Sequence, residues 1–137
     1  MTPAALARLH AEAFTQDRPW SAEEFASLLS LPGTLLLGDE RAFLLGRVIL
    51  DESEVLTLAT HPDHRRRGHA ADLLTRFEQQ AAQRGADRAI LEVAEDNAPA
   101  RALYANRGYT VAGRRPAYYG RKDAPSVAAL VLSCPLR

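Results

Sequence analysis

The chain is short of several things, and each shortage excludes a class of protein. It has one cysteine, Cys134, in 137 residues. An internal disulfide is impossible, a disulfide scaffold is ruled out, and a reducing compartment, the cytoplasm by default, is expected. No apolar run approaches the ~18–20 residues that cross a membrane. The opening MTPAALARLHAEAF lacks a basic segment ahead of an apolar block, so it does not read as a secretory signal. Neither sign of charge is in excess: Lys+Arg and Asp+Glu are both 17, for a net charge of zero. That argues against a general nucleic-acid binder, which carries a basic excess or face, though it leaves room for a local basic patch. His10, His61 and His64 have no ligand spacing with cysteine or acids. They read as packing or surface residues, and no metal is expected. Cys134 has no base near it in sequence, so no thiol nucleophile is expected either.

What remains is ordinary for a globular protein, with 47% hydrophobic and 25% charged residues. Residues 1–137 read as one domain, large enough for a core without staples. There is no repeat, linker or low-complexity stretch. Thr2-Pro3 is a capping residue followed by a first-turn proline, and Leu6, Leu9, His10, Ala13 and Phe14 recur at helical spacing, giving a helix over about 3–15. Ser21 with Glu24 is a capping-box pattern that opens a second helix, carrying Phe25, Leu28 and Leu29 and ending at Leu31-Pro32-Gly33. Three strands follow as an antiparallel meander: Thr34 to Leu37, Ala42 to Leu50, and Glu54 to Thr60, with a hairpin turn at Asp51-Glu52-Ser53. A helix over about 68–84 stops at Gly85. Arg88 to Ala94 is a buried strand, parallel to the one before the helix. A helix over about 98–107 starts at the Asn97 cap. Tyr109 to Gly113 begins a strand, Arg114 to Lys122 (RRPAYYGRK) reads as a loop, and Ser126 to Ser133 is the last strand. The order ααβββαβαββ implies an α/β fold with a mixed sheet and helices on both faces.

The organising stretch is VLTLATHPDHRRRGHAADLL, Val55 to Leu74. Strand, glycine loop and helix in succession aim unpaired backbone N–H groups at an anion, because the first turn of a helix has free donors and a positive dipole end. Two familiar phosphate loops are excluded: no Gly-Lys-Ser/Thr follows, and Gly-x-Gly-x-x-Gly is absent. The residues present are Arg65-Arg66-Arg67-Gly68-His69-Ala70. Small residues at 68 and 70 permit close approach of a pyrophosphate, and the arginines can add charge-assisted contacts. A solvated basic turn is the plain alternative.

Here the chain resembles the GNAT superfamily of N-acetyltransferases. Its acetyl-CoA motif is Gln/Arg-x-x-Gly-x-Gly/Ala at a strand-to-helix junction, matched by Arg65, Gly68 and Ala70, with Leu73-Leu74 following. LEVAEDNAPARALYANRGY, Leu91 to Tyr109, matches a second signature of the superfamily. With RRPAYYGRKD and the Arg18-Pro19-Trp20-Ser21 stretch, the chain is similar to the RimI-type subfamily, which acetylates the N-terminal alanine of a small-subunit ribosomal protein. The resemblance implies an antiparallel N-terminal meander joined to a β-α-β-α-β acetyl-CoA-binding half. The family usually opens with a strand before the first helix. This chain starts inside that helix, so the sheet lacks that edge strand or the start site was set too far downstream.

The resemblance also assigns roles beside the plain readings. Glu92 interrupts an apolar strand, where an unpaired carboxylate is costly. It is either a salt-bridged acid or the general base for the amine, direct or through water. Tyr104 is either a core tyrosine or the acid that protonates the leaving thiolate; an ordinary tyrosine is protonated at neutral pH. Asn97 serves as helix cap and, by resemblance, as a CoA contact. The implied cofactor residues are Arg65, Arg66, Arg67, Gly68, His69, Ala70 and Ala71 at the loop. They are joined by the backbone at Leu58, Ala59 and Thr60, which would donate to the thioester oxygen beside a strand bulge. Trp20 is a wall of the acceptor groove or a staple for the second helix. Arg114, Arg115, Tyr118 and Tyr119 form a peptide-binding loop or a plain surface hairpin. The implied cosubstrate is acetyl-CoA and the implied partner a protein N-terminus, with no nucleic acid or membrane, the protein being a monomer or weak dimer. Small-molecule or lysine acetylation, or a non-catalytic acetyl-CoA-binding module, are the other readings.

Overall fold

The computed structural model describes residues 1–15, 18–121 and 123–136. Lys122, the end of the stretch read as a loop, lies outside the described residues.

Local chemistry sets the first two helices. In α1 (Pro3–Ala13) the Thr2 hydroxyl accepts from the Ala5 N–H at 3.1 Å. In α2 (Ala22–Leu29) both halves of the capping box form: Glu24 N–H donates to Ser21 Oγ and Ser21 N–H to Glu24 Oε1, each at 3.1 Å. Arg18 forks onto the same Glu24 at 2.7 and 2.9 Å. Both helices pack on one face of the sheet, where Leu6, Leu9 and Phe25 meet Phe43, Leu45 and Ala59.

The strands are β1 (Thr34–Gly38), β2 (Ala42–Ile49), β3 (Glu52–Thr60), β4 (Arg88–Ala94), β5 (Thr110–Arg121) and β6 (Ala124–Pro135). They lie in the order β1-β2-β3-β4-β6-β5. The meander is antiparallel, and β3 and β4 are parallel across α3 (His69–Gln83), as the sequence pattern requires. No strand pairs with the outer edge of β1 among the described residues. On the second face α3 sets Leu73, Leu74, Phe77 and Ala81 against Leu44, Val55 and Leu91. Phe77 is fully buried, and Gly46 of β2 makes room for it: a Cβ there would stand 2.2 Å from the ring. α4 (Ala98–Asn106) closes this face and packs Tyr104 edge-on to Tyr109 at 5.8 Å.

Three expectations need correction. Arg114 to Arg121 is not a loop; it is the second half of β5, paired with β6 from Arg114↔Leu130 to Arg121↔Ala124. Its polarity and Pro116 hid it. An outermost strand tolerates proline, and the register slips between Arg115 and Tyr119 absorb it in a bulge, with Ala117 at φ +51°. The hairpin turn is tighter than Asp51-Glu52-Ser53, since β3 already begins at Glu52. The first helix stops at Ala13 rather than 15, where Phe14 leaves helical geometry.

Candidate active site

The central feature is a fork between β3 and β4. Their parallel pairing runs from Glu52↔Arg88 to Val55↔Leu91 and then ends. Leu56 is the next residue of β3, and it is skipped in the β2 register, with Leu45 opposite Thr57 and Gly46 opposite Val55. It is therefore the extra residue of a β-bulge, which bends a strand and increases its local twist. The next residue of β4 is Glu92. The strands thus part at the bulge on one side and at the strand's acid on the other. The bulge falls at Leu56, just ahead of the Leu58-Ala59-Thr60 backbone singled out from the sequence.

The fork opens into a cleft of about 140 Å³, walled by Val55 to Leu58 of β3 and Leu91 to Ala94 of β4, and closed by Asn97, Ala100 and Tyr104 of the α4 end. Beyond the sheet lies a wider cavity of about 570 Å³, lined by His10, Trp20, Glu54, Glu92, Arg115, Tyr118 and Tyr119 among others. Trp20, Val55, Leu56, Glu92 and Tyr119 line both, so the two spaces meet along that wall.

Glu92 is half-buried, and the Arg115 guanidinium stands 3.2 Å from its Oε1. Arg115 also lies over the Tyr118 ring at 5.3 Å. Tyr104 is only 7% exposed. Burial pushes its hydroxyl up to about 12, so it holds its proton throughout the neutral range. Asn97 caps α4, its Oδ1 accepting from the Ala100 N–H at 3.2 Å. His10 is held by rings: Trp20 stacks on it at 5.0 Å, and Phe14 and Phe25 flank it. Burial lowers its pKa to about 4, so it is neutral, and its Nδ1 accepts from the Trp20 N–H at 3.3 Å. Trp20 thereby serves both readings, as cavity wall and as staple.

At the C-terminal end of β3 the chain makes a short 3-10 turn, Pro62–His64, then the arginine loop. Gly68 is the residue before α3, at φ +79° with no side-chain cap, and the Asp72 N–H is the one that bonds to the Gly68 carbonyl. The leading N–H groups, at His69, Ala70 and Ala71, are left for an anion. An added Cβ at 68 meets nothing within 4 Å, so the backbone angle rather than crowding within the chain calls for glycine. Arg66 is also left-handed, at φ +64°, an unusual angle for a residue with a side chain. Arg65 donates to the Ala13 carbonyl at 3.0 Å and ties the loop to α1, while Arg67 lies 3.4 Å from His64 Nδ1.

Glu92, Tyr104, Asn97, Leu58, Trp20 and Tyr119 are thus brought to one cleft, and Tyr118 to its outer cavity. Arg114 is not: it forks onto Glu95 at 2.7 and 3.2 Å, outside both spaces. Ala59 packs its side chain under α1 and α2, and Thr60 pairs with Ala42 at the end of β3. Glu54 was not singled out in the sequence. It lies beside Ile90 in the parallel register, on the same side of the sheet as Glu92, two residues on. An acid in each of two adjacent parallel strands was the available signal. Cys134 is buried at the end of β6, outside both spaces, and burial pushes its thiol up. No helix among the described residues is long and apolar enough to cross a membrane.

Comparison with known proteins gives a consistent picture. Residues 5–109 match the model of the acetyltransferase (GNAT) family. The chain is similar to the [ribosomal protein bS18]-alanine N-acetyltransferase of Escherichia coli (strain K12), at 35% identity over 127 residues, covering 86% of this chain and 85% of that protein. In structure it resembles the crystallised ribosomal-protein-S18-alanine N-acetyltransferase from Escherichia coli. The TM-score is 0.87 at 29% identity, covering 98% of this chain and 87% of that one. It also resembles nourseothricin acetyltransferase, with a TM-score of 0.68 at 27% identity over 77% of this chain and 67% of that one.

Proposed function

The chain belongs to the acetyltransferase (GNAT) family, and from that premise we propose that it carries acetyl from acetyl-CoA to the α-amine of a protein N-terminus, foremost the N-terminal alanine of a small-subunit ribosomal protein. Acetyl-CoA-dependent N-acetyl transfer follows from the family. The acceptor follows by analogy with the bS18-alanine N-acetyltransferases, which the chain matches over most of its length. The observation that carries the reading is the meeting of a narrow cleft and a wide cavity at Glu92. The narrow side suits a thin pantetheine thioester. The wide side, open and rimmed with aromatic rings, suits the end of a peptide.

The roles follow from the positions. The N–H groups opening α3 hold the pyrophosphate, with the adjacent arginines supplying charge. The thioester lies in the fork, its carbonyl oxygen toward β3 beyond Val55. There the backbone has left its β4 partner and can donate to the oxygen as it gains charge. The acceptor enters by the wide cavity. An α-ammonium has a pKa of ~7.7–8.0, so much of it is not nucleophilic at neutral pH. Glu92, directly or through water, takes a proton as the amine nitrogen attacks the thioester carbon. A C–N bond forms, the tetrahedral intermediate collapses, and the C–S bond breaks. Tyr104 gives its proton to the departing sulfur. No acyl-enzyme is involved: neither a cysteine nor a serine is among the described residues that line the fork.

A panel of peptides beginning with alanine, serine or glycine, run beside polyamines and free lysine, tests the acceptor. The alanine peptide should give the highest kcat/KM. Turnover of the small amines alone would replace the peptide reading with a small-molecule one.

A further inference from the structure

We propose that Glu54 is the anchor for the acceptor's ammonium group: it holds the cationic amine in the wide cavity before Glu92 removes the proton. The inference rests on the reading of that cavity as the acceptor site. It concerns a residue that neither the sequence motifs nor the mechanism above uses.

Among the described residues, two carboxylates line the cavity, Glu54 and Glu92. They lie on one side of the sheet at the last stretch of β3–β4 pairing, with Glu54 opposite Ile90 and Glu92 two residues further on. Their situations differ. Glu92 already has a cation, since Arg115 of β5 stands 3.2 Å from it. Glu54 has no hydrogen bond or ion pair among the described residues. Among the described residues, the charges that face it are committed or repulsive. Arg47, opposite on β2, donates its Nε to the Pro32 carbonyl at 3.0 Å. Arg115 goes to Glu92, and Arg18 at the cavity rim forks onto Glu24. Glu52 on its own strand is paired with Arg88, and the one histidine lining the cavity, His10, is neutral. Partial desolvation and the neighbouring Glu92 push the Glu54 carboxyl up, against the smaller pull of Arg115 and Arg47, neither of which forms an ion pair with it among the described residues. A primary ammonium supplies a counter-charge with three donors on one compact group, enough to reach a carboxylate and leave the nitrogen beside Glu92. Trp20, Tyr118 and Tyr119 line the rest of the cavity.

This separates two jobs that one acid cannot do at once. The residue that takes the proton must face the nitrogen as it reacts. The residue that binds the ammonium must act before that, in the ground state. The nitrogen regains positive charge as the C–N bond forms, so the Glu54 contact persists into the transition state, and binding lost from both states alike raises KM and leaves kcat in place.

Steady-state kinetics of Glu54→Gln test this, with acetyl-CoA saturating and the alanine peptide varied. The expected result is a rise in peptide KM of about tenfold, the size of one charge-assisted hydrogen bond, with kcat within about twofold and the acetyl-CoA KM unchanged. Glu54→Asp, which keeps the charge, should recover most of the loss. A thermal melt shows whether each variant is folded. An unchanged peptide KM overturns the proposal. So does a collapse of kcat at unchanged KM, which would make Glu54 the base. If the wild type turns over only small amines, the acceptor reading fails, yet the same KM comparison with that amine still decides the role of Glu54.

Discussion

The two sides of the β3–β4 fork are made by different means. The cofactor side is one unbroken run of chain, 65–71, whose useful groups are backbone N–H donors aimed by a left-handed glycine and a helix start. The proposed acceptor side is gathered from α1, the segment before α2, β3, β4 and β5, and it presents side chains: His10, Trp20, Glu54, Glu92, Arg115 and Tyr119. A backbone site survives most side-chain changes around it but depends on one φ angle. A side-chain site is the reverse. Its strands can be redrawn without loss, while the exchange of one carboxylate removes a function. In the proposed mechanism the chemistry divides along the same line, with phosphate charge held on the backbone side and protons moved on the side-chain side.

The largest expected effect breaks the side-chain half alone. Glu92→Gln should lower kcat by about 100-fold or more, the usual worth of a general base. The acetyl-CoA KM should stay within about twofold, measured in the same titrations. Equal damage to both constants would mean that the halves are not separable. Tyr104→Phe should come next, at about tenfold or more in kcat. Its pH profile sharpens the assignment. An acid works while protonated, and burial carries this hydroxyl up to about 12, so Tyr104 should impose no descending limb below about pH 11. A limb near 9 that vanishes in the phenylalanine variant would contradict the buried position.

Gly68→Ala addresses the backbone half. The residue needs φ +79°, and forcing a side chain into that region costs about 1–2 kcal/mol. The acetyl-CoA KM should rise several-fold to about tenfold, with the peptide KM little changed, as read from two-substrate kinetics. His10 carries a stability effect instead. Folded, it titrates at about 4; unfolded, at ~6.5. Between these values the unfolded chain binds more protons, so stability is lost as pH falls from about 6.5 toward 4, by about 2 kcal/mol. Urea unfolding at pH 7 and pH 4.5 should show the loss, and His10→Phe should flatten it. The smallest effect belongs to Arg114→Ala. Its ion pair with Glu95 is solvent-exposed and sits outside both cavities, so activity should hold and the melting temperature should barely move.

The division between the two halves also governs what the sequence could reveal. Helix caps, the parallel crossover and the arginine-glycine loop are local patterns with local causes, and Thr2, Ser21-Glu24, Gly68 and Asn97 all stand where their chemistry requires. Glu92 was legible because an acid in an apolar strand needs an explanation. Glu54 was not, because an exposed acid near the start of a strand is unremarkable until the register puts it beside Glu92. The bulge at Leu56 leaves no residue signature, since an ordinary leucine in an apolar run occupies it. The second half of β5 was hidden for the same kind of reason. RRPAYYGR is polar and broken by proline, and only pairing with the apolar β6 makes it a strand. That strand delivers Arg115, Tyr118 and Tyr119 to the wide cavity.

The account stands on both halves being occupied together, with the amine attacking the thioester across Glu92 and no acetyl group resting on the protein. Initial velocities over a grid of acetyl-CoA and alanine-peptide concentrations test this most directly. Double-reciprocal lines that intersect to the left of the axis are the predicted result. Parallel lines, the signature of an acetylated enzyme formed before the amine binds, would contradict it.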